Sequence, residues 1–387
     1  MLKEYSDILA VVKSVLTDSP LKIAPDFDKL FELSRKHQII PMVYSGLYKS
    51  EEITDIPLKF ENSTLRLLLH DQQQLNCIAA IENAFDAAGI DYMPLKGASL
   101  KRLYPSSEMR MMSDIDILIK EAQYTQIKEI LVSHGFNELA ETDHELIWKD
   151  ANGIAVELHK RLIPSYNKAY SRYYNNVWDN VIASERFPHR FSMRREDEYI
   201  YLLMHIAKHY RDGGIGIRHI SDIFVFKRHY PELDGEYIHR ELEKTGLNRF
   251  NDNINALVDT WFYGKASTEL TEHITARIIE SGSYGNREKG DAAAAARANA
   301  EASSISSAKR KRLLNLIFMP YSSMKKKYSV LNRFPFLLPI MWPVRWVSAI
   351  FQHRGNVVRQ YERLNSINIQ TVTDYNKELE EVGLRFE

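Results

Sequence analysis

Three acidic residues of this 387-residue chain are spaced so that they can act together. Asp114 and Asp116 lie in the run Asp114-Ile115-Asp116-Ile117-Leu118-Ile119, whose alternation of acid and aliphatic predicts a strand. Alternate strand residues share a face, so the two carboxylates point one way while Ile115 and Ile117 point into a core. Side-by-side carboxylates repel, and a cation that takes oxygen ligands, most naturally magnesium, relieves the repulsion. On this reading, removing the charge of Asp116 relieves strain in the metal-free protein. The third carboxylate is Glu157, in the run Ile154 to His159. There Ile154, Val156 and Leu158 share one face, and Ala155, Glu157 and His159 share the other. Asn152-Gly153, between this run and Leu146-Ile147-Trp148, signals a hairpin. It would bring Glu157 onto a strand able to lie beside the one carrying Asp114 and Asp116.

The surrounding chain must position these groups. Residues 1–90 read as helical, with a long run from Glu61 to Ala88 that Gly89 would end. Residues 91–164 alternate short strands and helices. A strand from Asp91 to Leu95 meets a Gly97 turn and a short helix, and after the Asp-x-Asp strand a helix from about Ala122 to His134 stops at Gly135. From Ser165 to Ser281 the pattern is helical again. His205 and His209 are four apart on one helix, and Arg218 and Asp222 are four apart on the next. A histidine pair of that spacing suits zinc, but with no third ligand nearby, polar packing that faces the acidic site is the better reading. Residues 282–304 begin as a Gly/Ser loop and continue as an alanine-rich helix that buries little. The expected domains are thus a helical region at 1–90, a catalytic core at 91–164, a helical domain at 165–304, and a basic, aromatic region at 305–387.

Bulk properties narrow the function classes. The 44% apolar and 26% charged content is that of a globular protein. The lone cysteine, Cys77, excludes an internal disulfide and fits a reducing, cytoplasmic setting, and the first residues lack a secretory pattern. The apolar run Phe334 to Val344 is too short and too rich in proline to span a bilayer. Net charge is zero, yet residues 305–363 hold twelve Lys or Arg against one acid, Glu362, so this segment is +11 and the remainder −11. Such a split suits an anionic partner, or a basic face that pairs with the chain's own acids. Trp342 and Trp346 beside Arg345 suit either a peripheral membrane contact or packing on the helical domain, and the second is expected.

Taken with their order, these motifs carry a resemblance. Leu95-Lys96-Gly97, Tyr104-Pro105, Arg110, Asp114-Ile115-Asp116 and Glu157-Leu158-His159 follow one another, and His209, Arg218 and Asp222 come later. The chain resembles a bacterial family of uncharacterised nucleotidyltransferases within the DNA-polymerase-β-like superfamily. It departs from most of that superfamily in having Ala98 after the turn glycine, with Ser99 one place later, and in a longer gap from turn to acids. The resemblance implies an α+β fold: a polymerase-β-like core with a small mixed sheet between helical regions. It implies magnesium or manganese held by Asp114, Asp116 and Glu157. It also implies a nucleoside triphosphate met by Lys96, Gly97, Ala98, Ser99, Arg110, His209 and Arg218. The expected reaction transfers a nucleoside monophosphate to a hydroxyl-bearing small molecule, protein or RNA and releases pyrophosphate. Two alternatives share the site: a kinase-like phosphotransferase, and a non-catalytic nucleotide-binding protein.

Overall fold

The computed structural model describes residues 3–283, 285–301, 314, 317–348 and 369–386. The chain forms two compact units. One comprises residues 1–210, 214–285 and 382–384, and the other residues 211–213, 286–381 and 385–387.

The first unit opens with α1 (Lys3–Thr17), α2 (Phe27–Lys36), α3 (Ile40–Tyr48) and the long α4 (Leu58–Ala87). Asp26 caps α2, accepting from the amides of Asp28 and Lys29. Gly89, at φ +68°, ends α4 in the left-handed region that glycine enters without steric cost. There follow β1 (Tyr92–Pro94), α5 (Lys96–Leu100), β2 (Ile115–Ile119), α6 (Tyr124–Ser133), β3 (Asn137–Glu141), β4 (Glu145–Lys149) and β5 (Ala155–His159). Five strands make one sheet in the order β1-β2-β5-β4-β3, in which β2 and β5 run parallel and the other pairs antiparallel.

One face of this sheet is the core. Ile115, Ile117, Ile119, Val156, Leu158, Leu146 and Trp148 pack there against Ile81 and Phe85 of α4 and Ile127 and Leu131 of α6. Burying an aliphatic or aromatic side chain of this kind stabilises by about 1.5–3 kcal/mol. That drives the register, because a slip of one residue would carry Asp116 and Glu157 into the core. The β4–β5 hairpin forms as expected. Asp150 and Ile154 bracket its turn through Asp150 N–H to Ile154 O at 3.1 Å, and Gly153 takes φ +88°. The turn therefore has three residues between the bracketing pair rather than a bare Asn-Gly dipeptide.

Two parts of the sequence reading need correction. Residues 165–281 are not helical throughout. After α7 (Lys168–Tyr173) a separate hairpin, β6 (Val181–Ala183) with β7 (Phe191–Met193), forms before the helices resume. A bridge from Tyr92 to Arg190 sets this hairpin beside β1, so it covers a sheet edge that would otherwise present unpaired backbone groups. The helices are α8 (Arg195–Asp212), α9 (Ile217–His229), α10 (Gly235–Glu243), α11 (Asn248–Phe262) and α12 (Glu269–Ser281). Strand β3 was also illegible: its sequence Asn-Glu-Leu-Ala-Glu has almost no apolar alternation because it is an exposed edge.

The second unit contains α13 (Arg287–Glu301), α14 (Tyr321–Lys327), α15 (Val330–Arg333) and most of α16 (Ile369–Val382). The alanine run does not stay unburied: Ala292, Ala293 and Ala296 are inside. Lys289 of α13 pairs with Glu378 of α16 at 2.9 Å. Trp342 and Trp346 have packing partners within the C-terminal segment itself. Both rings meet Phe318 edge-on, and their indole N–H groups donate to the carbonyls of Met319 and Ile317. Much of the basic segment, including Lys309, Arg310, Lys311, Arg312, Arg354, Arg359 and Arg363, lies outside the described residues.

Candidate active site

The polar face of the sheet, opposite the core, lines a cavity of about 390 Å³. The parallel pairing of β2 with β5 places Asp116 opposite Glu157 and Leu118 opposite His159. Asp114 stands just before β2 and lines the same cavity. Ligand atoms of Asp116, Glu157 and His159 lie within 4.8 Å of one another, and this is the metal-competent cluster found among the described residues.

Asp116 is not a bare carboxylate. Its Oδ1 accepts from Lys96 Nζ at 2.9 Å and lies 2.6 Å from His159 Nε2, with all three side chains largely buried. Burial pushes the Asp116 carboxyl up, but the Lys96 ammonium and the His159 hydrogen bond outweigh it and hold it well below the usual range. The repulsion falls on its neighbours. Burial and the charge of Asp116 raise Asp114, and burial with Asp114, Asp116 and Glu145 pushes Glu157 up to about 8. Glu157 is thus the acid of this cluster that most needs a nearby cation to carry its charge.

A divalent cation fits this donor set. Carboxylate oxygens suit magnesium, and one imidazole beside them also suits manganese. Raised carboxyls are what such a set shows before a cation offsets its mutual repulsion. Asp116, Glu157 and His159 could hold an ion, with Asp114 on the same cavity wall and Lys96 competing for Asp116.

The turn before α5 divides its residues between surroundings. Lys96 has φ +40°, a left-handed conformation that costs a non-glycine residue on the order of 1 kcal/mol or more. Its ion pair with Asp116 holds it there. Gly97 lines the cavity beneath Met112 and Arg110, and a Cβ there would come within 2.7 Å of Met112 Cγ and 3.1 Å of Arg110 Nη1. Ala98 packs against the sheet core and its amide donates to Leu95 O. Ser99 donates its hydroxyl to Lys96 O at 3.0 Å and lines a neighbouring cavity instead.

Helices α8 and α9 supply the opposite wall. Arg110 lines the cavity while clamped in a two-point ion pair to Asp222, at 3.1 and 2.8 Å. Charge-assisted pairs of this forked kind are among the strongest polar contacts. Tyr104 Oη donates to the same carboxylate at 2.7 Å. Arg218 donates from Nη1 to Gln38 Oε1 and to Met111 O. His205 and His209 stack edge-on at 4.3 Å, and His219 lies 6.2 Å beyond His209. Burial drives all three imidazoles well below their ordinary range, so they face the cavity neutral. His209 thus offers a ligand hydrogen bonds rather than charge.

The sequence reading missed His144, Glu145 and Lys208, which also line the cavity. Glu145 is opposite His159 across the β4–β5 pair. The register of the hairpin is the signal that finds it, since Ile147 faces Glu157 and the residue two before it shares that face.

Over residues 24–263 the chain matches the family described as uncharacterised nucleotidyltransferase. No curated protein matches it. A solved structure similar to it is that of the antibiotic-resistance factor ANT(2'')-Ia, at 13% identity over 48% of this chain and 96% of that one, with a TM-score of 0.33. A likeness that slight carries no argument, but the family match spans more than half of the chain and takes in the acidic cluster and both walls of the cavity. The chain is a member of the uncharacterised nucleotidyltransferase family and a transferase enzyme.

Proposed function

We propose that the protein transfers a nucleoside monophosphate from a nucleoside triphosphate to a hydroxyl-bearing acceptor and releases pyrophosphate, on a polymerase-β-like core. The observation that carries this reading is the parallel β2–β5 register, which sets Glu157 against Asp116 beside Asp114 on the wall of a cavity. A cavity of several hundred Å³ is of the size that holds a small ligand. Asp114, Asp116 and Glu157 hold magnesium or manganese, which when bound offsets phosphate charge and lowers the pKa of an attacking hydroxyl. Lys96, Arg110, Lys208 and Arg218 line the same space and, with a cation on the acids, would favour a polyanionic substrate. Gly97, having no side chain, lets Met112 and Arg110 close over the turn at the edge of the nucleotide's space. His209 donates or accepts a hydrogen bond at the ligand, and Glu157 is placed to accept the acceptor's proton. Ala98 and Ser99 contribute through the backbone shape of the turn.

The test is incubation with each of the four labelled nucleoside triphosphates, magnesium or manganese, and a cell extract. Label on an acceptor with release of pyrophosphate is expected. Release of nucleoside diphosphate would mark phosphoryl transfer instead, and unchanged turnover by Asp116→Asn would remove the site from the reaction.

A further inference from the structure

A second cavity, of about 180 Å³, shares Lys96 with the first. Its floor is β1 and the α5 turn, from Met93 to Ser99, and the β6–β7 hairpin, α8 from Arg195 to Tyr201, and Arg102 make the rest. The volume has room for a phosphate or carboxylate with a few attached carbons.

Four cations line it, Arg102, Arg190, Arg195 and Lys96, together with the acid Glu198, and Lys96 is paired with Asp116. Two of the arginines are fixed in place by acids. Arg190 Nε lies 3.3 Å from Glu82, and Arg195 Nη1 lies 2.9 Å from Glu198 while its guanidinium stacks over Tyr230. Arg102 is exposed at the rim. Ser99, Ser184 and Ser192 also line the space, their hydroxyls bonded to Lys96 O, to the amides of Arg186 and Phe187, and to Ile182 O. Guanidinium groups held in fixed orientations match the oxygens of a planar or tetrahedral anion.

We infer that this second cavity binds an acidic small molecule through its phosphate or carboxylate group, and that this group belongs to the acceptor. The assignment to the acceptor rests on the transfer reading above, whereas anion binding does not. The acceptor class is then a small hydroxyl compound that carries an acidic group, held in the cavity that shares Lys96 with the acidic site.

The probes are inorganic phosphate and succinate, titrated into the full chain without nucleotide or metal and followed by calorimetry and by the thermal unfolding midpoint. Saturable binding of one of them is expected, and which one binds separates a phosphate from a carboxylate ligand. Arg102→Glu, an exposed change, should weaken it by about tenfold or more, as loss of a charged hydrogen-bond donor does. Ser192→Trp, which fills the cavity from β7, should weaken it similarly, with circular dichroism reporting that both variants fold. No saturable binding of either probe, or an affinity within about twofold of wild type in both variants, would overturn the site. In the extract assay, both variants should lose labelled product in step with anion affinity. Product unchanged while anion binding falls would detach the cavity from the acceptor. Anion binding that depends on Arg102 in a protein releasing no pyrophosphate would instead defeat the transfer reading and leave this site standing.

Discussion

Arg110 and Asp222 come from the loop before β2 and from the middle of α9, and they meet in a buried two-point ion pair at 3.1 and 2.8 Å. This contact fixes the acidic strand relative to the helix that forms the far wall of the cavity. Tyr104 closes the same carboxylate at 2.7 Å. At the other end of the loop Lys101 pairs with Asp71 of α4, and Ser107 Oγ donates to that same carboxylate at 2.5 Å.

Removing one partner of a buried pair leaves the other charge without compensation. Asp222→Ala should therefore destabilise the protein by about 3–5 kcal/mol. Adding Arg110→Met should recover a large part of that loss, because an apolar side chain of similar length needs no partner. Urea unfolding of the single and double variants checks both. Additive losses would mean that the pair does not act as a unit.

Asp116 and Glu157 are adjacent yet should respond oppositely to loss of charge. Alternation alone implies that removing either charge relieves repulsion. The Lys96 and His159 contacts reverse this for Asp116, whose charge is already compensated. In magnesium-free buffer Asp116→Asn should cost on the order of 3 kcal/mol, since Lys96 loses its buried partner. Glu157→Gln should leave stability unchanged or raised. Both should reduce transfer by about a hundredfold or more. Added magnesium should raise the unfolding midpoint of the wild type but not of Glu157→Gln. Equal stability losses in the two variants would contradict the asymmetry.

The same contrast marks how far the sequence could be read. Period-2 alternation located Asp116 and Glu157 on one face, and the Asn-Gly signal found their hairpin, because a half-buried strand writes its faces into its residue types. It did not show which cation would neutralise which acid, since Lys96 reaches Asp116 only through a left-handed backbone at φ +40°. Nor did it show β3, an exposed edge with little apolar pattern, or the β6–β7 hairpin, whose strands of three residues each are too short to display a period. Glu145 was hidden for a related reason: its place in the cavity depends on register rather than on any local motif.

His37 provides a pH test away from the acidic cluster. Its ring is buried, with Nδ1 accepting from the Ile217 amide at 3.1 Å and Nε2 placed to donate to Ile279 O at 3.2 Å. Burial drives its pKa down to about 4 from an ordinary 6.5. The unfolded chain therefore binds the proton more readily, and the stability contributed by neutral His37 is present above the unfolded value and lost as pH falls towards the folded one. Between about pH 6.5 and 4.5 this costs up to about 2–3 kcal/mol. His37→Gln, which can also accept and donate, should start less stable but lose less over that window. Parallel losses in the two proteins would assign the acid sensitivity to the other buried histidines.

The described part of the C-terminal segment exposes an apolar row beside its cations. Phe336, Ile340, Val344 and Val347 are spaced three or four apart and are all exposed, with Phe336 at 74% and Ile340 at 61%. Lys325, Lys327, Arg333 and Arg345 lie in the same stretch, and no helix among the described residues is long and apolar enough to cross a membrane. An apolar row bordered by cations suits the surface of an anionic bilayer, where acyl contact and headgroup charge both contribute. Sedimentation with anionic vesicles should pull the protein down, and Ile340→Glu with Val344→Glu should abolish this even at low salt. A purely electrostatic tail would behave differently. Its vesicle and RNA binding would both fall steeply with salt, because neutralised phosphates release counterions, and the two glutamates would weaken them only in proportion to their charge. Failure to sediment at low salt would leave the row with a role other than lipid contact.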